Sequence, residues 1–186
     1  MNQLPRPLAA ACAVALLVLA PLAVAETPPV ASVERVDLTR YAGRWHEIAA
    51  FPMFFQRQCV GDTTADYALR PDGEVTVVNR CRTDSGFDQA TGRAWAVAGT
   101  GDEQLKVSFF WPFRSDYWII GLDENYRWAV VGNPNRKYLW ILARTPELPA
   151  DQLERALQAS RAQGYDVTQL KYTPHGETRD IPLSPS

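Results

Sequence analysis

Histidine is scarce in this chain. His46 and His175 are the two present, and no cluster of ligating side chains has the spacing of a metal site. No serine lies in a nucleophile-elbow context, so serine-hydrolase machinery is missing too. Positive charge is not in excess: 19 lysines and arginines stand against 21 aspartates and glutamates, a formal net charge of −2. That balance argues against a nucleic-acid surface or a polybasic membrane patch. No linker or composition shift divides the 186 residues, and no repeat of about 20–50 residues is found, which excludes a solenoid and leaves one domain. There is neither a catalytic constellation nor a cofactor motif, and the expectation is of no enzyme and no cofactor.

Long apolar runs are limited to one, Leu8 to Val24. It is short for a membrane span and Pro21 interrupts it. Arg6 before it and Ala23-Val24-Ala25 at its end give the form of a signal peptide over residues 1–25, cleaved before Glu26. The alternative, a lipid-modified Cys12, suffers because Cys12 opens the apolar run instead of closing it. The expected product is exported, to the periplasm or outer membrane, and soluble in preference to lipid-anchored.

Removing the signal leaves Cys59 and Cys81. An even count in an oxidising compartment reads as a disulfide, with two unpaired thiols as the alternative. The loop so closed is worth roughly 3 kcal/mol. A bridge between the second and third strands does not match a hairpin closing at Leu69 and Glu74, so a bulge or stagger is needed there.

Aromatic residues are plentiful in short alternating runs. Strands are predicted near 43–51, 60–69, 74–82, 93–99, 104–111, 117–122, 126–132 and 138–144. Arg70-Pro71-Asp72-Gly73, Gly99-Thr100-Gly101-Asp102, Asp123-Glu124-Asn125 and Asn133-Pro134-Asn135 supply the turns. One amphipathic helix is predicted near 149–163, with Pro149 and Asp151 at its start, Leu153, Ala156 and Leu157 on one stripe, and Gly164 beyond its end. Val167 to Tyr172 reads as a short extra strand, residues 26–36 as an N-terminal extension, and 174–186 as a disordered tail. Eight antiparallel strands close as a sandwich or a barrel.

Three ordered blocks favour the barrel. Tyr41-Ala42-Gly43-Arg44-Trp45-His46-Glu47-Ile48-Ala49, the stretch Tyr117 to Val131, and Tyr138-Leu139-Trp140-Ile141-Leu142-Ala143-Arg144-Thr145-Pro146 resemble the conserved blocks of the lipocalin family, most closely its bacterial and apolipoprotein D-like branch. The resemblance runs from about Asp37 to Tyr172. It implies an all-β, eight-stranded antiparallel up-and-down barrel over 37–173, closed at one end, with the helix packed outside. It also implies a carrier of hydrophobic molecules, in the bacterial branch of fatty acids or lysophospholipids at the outer membrane.

Within that frame Gly43, Trp45 and Arg144 form the barrel base, with the guanidinium stacked on the indole. Strand parity from Trp45 turns Glu47, Ala49 and Phe51 inward. Glu47, a carboxylate low in an apolar barrel, needs a partner: a structural hydrogen bond to a tyrosine is expected, with anchoring of a ligand head group as the alternative. Tyr67, Asn79, Phe109, Phe113, Tyr117 and Trp140 match pocket-lining positions of apolipoprotein D-like lipocalins and are the expected ligand-binding residues. The alternative is a filled barrel, a ligand-free structural module in which the same aromatics are core. A lipocalin-fold enzyme acting on lipid through a free cysteine is the other alternative. Met53-Phe54-Phe55 and Phe110-Trp111-Pro112-Phe113 form either an apolar rim, touching the outer membrane, a lipid donor or a second subunit, or a lid over the cavity.

Overall fold

The computed structural model describes residues 27–176. The expected signal peptide and the end of the expected tail lie outside the described residues. A short helix, α1 (Leu38–Tyr41), precedes eight strands: β1 (Gly43–Ala50), β2 (Gly61–Leu69), β3 (Val75–Thr83), β4 (Gly86–Ala96), β5 (Gln104–Phe110), β6 (Phe113–Leu122), β7 (Trp128–Gly132) and β8 (Leu139–Ala143). Helix α2 (Ala150–Ala162) and a two-residue strand, β9 (Lys171–Tyr172), follow. Each strand pairs antiparallel with the next, and β1 pairs with both β8 and β2, which closes an eight-stranded barrel.

Turn chemistry explains the hairpins. Gly73 takes φ 84°, a left-handed conformation that a side chain would strain, and the Arg70 amide donates to the Glu74 carbonyl at 2.8 Å to seal the β2–β3 turn. Asp37 caps α1 by accepting from the Thr39 and Arg40 amides. This one-turn helix was absent from the strand pattern because four residues carry no readable period.

Alternation divides the apolar residues into two layers. Inside the barrel, Tyr41, Trp45, Tyr67, Val77, Leu105, Ala129 and Leu142 form one cluster. Outside it, Ile48, Val130 and Ile141 pack against Ala156 of α2, with Leu153 and Leu157 alongside. The helix approaches closely at Gly121, where an added Cβ would lie 2.9 Å from that of Ala159.

Several boundaries differ from the sequence expectation. Strand β4 starts at Gly86 and pairs with the whole of β3, from Val75↔Ala94 to Thr83↔Gly86. Residues 86–91 are exposed on both faces, so they lack the alternation that marks a half-buried strand. Strand β6 likewise starts at Phe113, with its first three residues exposed. Val167–Gln169 is a 3-10 turn and only Lys171–Tyr172 pairs as strand. The extension is fastened to the barrel: the Val33 amide donates to Ile119 and that of Val36 to Gly101. At the other end Pro174–Gly176 is held too, since the Asp62 amide donates to the Pro174 carbonyl and that of Gly176 to the Asp62 carboxylate, both at 2.9 Å.

One correction concerns parity. The β1–β8 register shifts between Glu47 and Ala49, so that Glu47 faces Leu142 and Ala49 faces Ile141. Ile48 is the extra residue of a bulge. Beyond it the alternation is reset, and Ala49 and Phe51 pack outward under α2 instead of into the barrel.

Candidate functional site

At the base, Arg144 carries its guanidinium carbon 3.9 Å from the Trp45 ring centroid. The same group donates to the carbonyls of Tyr126, Ala42, Arg44, Arg40 and Tyr41. Five carbonyls from two chain segments, residues 40–44 and Tyr126, converge on one planar fork, a geometry that a lysine point charge does not reproduce. Trp45 is fully buried and its Nε1 donates to the Tyr41 carbonyl at 2.8 Å. Gly43 takes φ 93° directly beside Arg144.

Above this floor lies a cavity of about 640 Å³. Its walls include Tyr67, Asn79, Phe109, Phe113, Tyr117 and Trp140, so all six residues expected to bind ligand are brought to one space. The barrel is therefore hollow. Their depths differ. Phe113 is 77% exposed and belongs to the mouth, whereas Tyr67 and Tyr117 are joined to the interior cluster at the bottom. Trp140 stacks on Tyr138 with ring centroids 5.8 Å apart.

The polar groups at the bottom form a chain. The Tyr117 hydroxyl lies 2.8 Å from those of both Tyr41 and Tyr67. Burial pushes all three phenols up, Tyr67 to about 12, so they are neutral donors and acceptors at ordinary pH. Three hydroxyl protons make two internal bonds, which leaves one proton for another acceptor. Tyr41 was missed in the sequence because it sits on α1, where strand parity does not reach. Asn79 lines the same wall, and its side-chain oxygen is buried without a hydrogen-bond partner among the described residues.

Glu47 is 7% exposed. Its partners are not tyrosines: Thr173 Oγ1 donates to Oε1 at 2.6 Å and Gln56 Nε2 to Oε2 at 3.0 Å. Burial lifts its carboxyl above the usual carboxylate range, against those two bonds and the field of His175. Thr173 lies 126 residues away in sequence, and no local pattern announces it.

Cys59 and Cys81 form a disulfide with Cα atoms 5.5 Å apart. The expected stagger is resolved by two features. Cys59 lies before β2, in the loop that follows β1, and the β2–β3 register shifts between Gly61 and Thr64. Both cysteines line the cavity wall. Around the mouth, Phe54, Phe110 and Trp111 are 70%, 77% and 81% exposed. Phe54 and Phe110 also line the cavity, so these exposed aromatics border its opening. Met53, expected with them, is buried.

Comparison with known proteins agrees with this architecture. Residues 36–175 match the family model of a lipocalin-like domain. The chain is 41% identical over 168 residues to the outer membrane lipoprotein Blc of Escherichia coli, covering 88% of this chain and 93% of that protein. It is 32% identical over 156 residues to apolipoprotein D of Macaca fascicularis, covering 79% and 80%. Among solved structures, insecticyanin from the tobacco hornworm Manduca sexta superposes with a TM-score of 0.67 at 20% identity, over 81% of this chain and 86% of that one.

Proposed function

From the premise that the chain belongs to the lipocalin family, in its bacterial and apolipoprotein D-like branch, we propose that it binds, stores or transports a fatty acid or lysophospholipid in its barrel at the bacterial cell envelope. The observation that carries this reading is the hollow barrel. A cavity of about 640 Å³ walled by Trp140, Phe109 and Val107 falls in the size range of small-molecule sites. Each buried methylene of an acyl chain contributes about 0.8 kcal/mol before ordering costs, so tail length dominates affinity. The spare tyrosine proton and the Asn79 amide supply the few polar contacts that orient a head group.

The envelope location rests on the outer membrane relative and on the signal-like N-terminus, which favours a soluble exported form. The enzymatic alternative requires a free cysteine, and the two in the barrel are bonded to each other. The exposed aromatic rim supports a further element of the reading, contact with a lipid surface during loading.

Solvent extraction of the purified protein followed by mass spectrometry tests the proposal, together with quenching by added fatty acid and lysophospholipid of the intrinsic tryptophan emission, to which Trp140 of the cavity wall contributes. Acyl lipid in the extract and saturable quenching are expected. An empty extract combined with no quenching at any chain length overturns the carrier reading.

A further inference from the structure

Strands β1 and β2 pair only from Gly43↔Tyr67 to His46↔Thr64. Beyond that point the wall parts, and the seam is spliced by the chain end. Tyr172 and Lys171 pair with Ala49 and Ala50, the Thr173 amide donates to the Ile48 carbonyl, and Pro174 takes the Asp62 amide. A side cavity of about 300 Å³ lies in this seam, walled by Phe51, Met53 and Tyr172, with Arg57 and Lys171 at its edge. Glu47 and Gln56 line both this space and the main cavity, so Glu47 stands where the two meet.

The carboxylate there is incompletely compensated. Its hydrogen-bond partners, Thr173 and Gln56, are neutral, and among the described residues it forms no ion pair with lysine or arginine. His175, whose Nε2 donates to the Glu47 carbonyl at 2.8 Å, is the remaining nearby group able to carry positive charge. A buried carboxylate is stable when a cation joins it. Arg57 and Lys171 are exposed and repel a cation arriving from outside, while the barrel side offers Trp140 and Leu142 to an apolar tail.

We propose that Glu47 is a docking point for the ammonium group of an amphiphile whose tail occupies the barrel. This rests on the carrier reading above. The ammonium belongs either to a simple alkylamine or to an ethanolamine-type lipid head group.

Calorimetric titration of the protein with dodecylammonium, dodecanol, and lysophosphatidylethanolamine and lysophosphatidylglycerol of equal chain length, all below their micelle concentrations, tests it. A charge-assisted contact gives the ammonium ligand about a tenfold advantage over its neutral match. Glu47→Gln erases that advantage and leaves dodecanol binding within about twofold. Thr173→Lys, which places a tethered ammonium beside the carboxylate, erases it as well, and keeps the test available if Glu47→Gln fails to fold. Preference for the ethanolamine over the glycerol lipid assigns the ammonium to a lipid head; preference for dodecylammonium alone assigns it to a free amine. Equal binding of dodecylammonium and dodecanol, or an advantage that survives Glu47→Gln, overturns the proposal while the carrier reading stands. If none of the four ligands binds, both fall.

Discussion

Arg144 holds the floor of the barrel by stacking 3.9 Å above the Trp45 ring while its nitrogens reach five backbone carbonyls. The pair joins the two ends of the barrel sequence, β1 and the residue after β8. Trp45→Ala removes a fully buried indole from a well-packed base and is expected to cost about 3–5 kcal/mol. Urea unfolding measures it, with ligand titration of the folded variant as the control. A relative ligand preference equal to wild type shows that the floor sets stability and not selectivity. A variant of unchanged stability contradicts the structural role given to the pair.

The disulfide ties the loop after β1 to β3 across a separation of 22 residues. On the chain-entropy account, Cys59→Ser with Cys81→Ser lowers stability by roughly 3 kcal/mol. Chemical denaturation with and without reductant reads the difference. Thiol titration of the folded wild type should find neither Cys59 nor Cys81 reactive, and a reactive thiol at either would reopen the enzymatic alternative.

Tyr117 is the centre of its hydroxyl chain, and Tyr41 and Tyr67 are its ends. Tyr117→Phe therefore strips two buried hydroxyls of their partner at once, whereas Tyr67→Phe breaks one contact. An unsatisfied buried hydroxyl costs about 1–3 kcal/mol, so Tyr117→Phe should be clearly the more destabilising in thermal or urea unfolding. Equal losses would mean that water or ligand already satisfies the ends.

The base residues were legible in the sequence through the blocks that resemble the family: Gly43 and Trp45 open β1 and Arg144 follows β8. The two-residue alternation counted from Trp45 then placed Glu47 inward. The cavity-facing set, from Tyr67 to Trp140, was reached by the same alternation combined with family resemblance. What escaped came from breaks in the period. The Ile48 bulge turned Ala49 and Phe51 outward, and the exposed start of β4 carried no alternation. Glu47 could be picked out as a buried carboxylate, yet its partners could not, because Thr173 and His175 arrive from the far end of the chain.

The rim offers a prediction about membranes. Phe54 and Trp111 stand out at the open end, 70% and 81% exposed, and transfer of such side chains into an interface is favourable by about 1.5–3 kcal/mol for a large apolar group. Liposome flotation of the wild type and of Phe54→Asp compares them directly. Reduced flotation of the variant, with cavity binding intact, is expected. Identical flotation would discard membrane contact, and a dimer lost in the variant by size-exclusion chromatography would assign the rim to a second subunit.

Glu47 gives the protein a pH signature of definite sign. Its carboxyl titrates above the ordinary range in the folded state because burial disfavours the anion, although Thr173, Gln56 and His175 favour it. Between the ordinary value, about 4.3, and the raised one, the folded state binds more protons than the unfolded state. Stability from this group is therefore present at acid pH and falls as pH rises through that window. Asp62 acts in the opposite sense. Burial alone would raise its carboxyl, but the Arg82 side chain and the Gly176 amide hold it below the usual range, so its contribution is lost on the acid side, below the Glu47 window. Urea unfolding of wild type and Glu47→Gln from pH 4 to 8 separates the two. The wild type should lose stability relative to the variant as pH increases, then run parallel to it once Glu47 is ionised. A difference that stays flat across the range would show that the Glu47 carboxyl titrates normally and that its burial is relieved in solution.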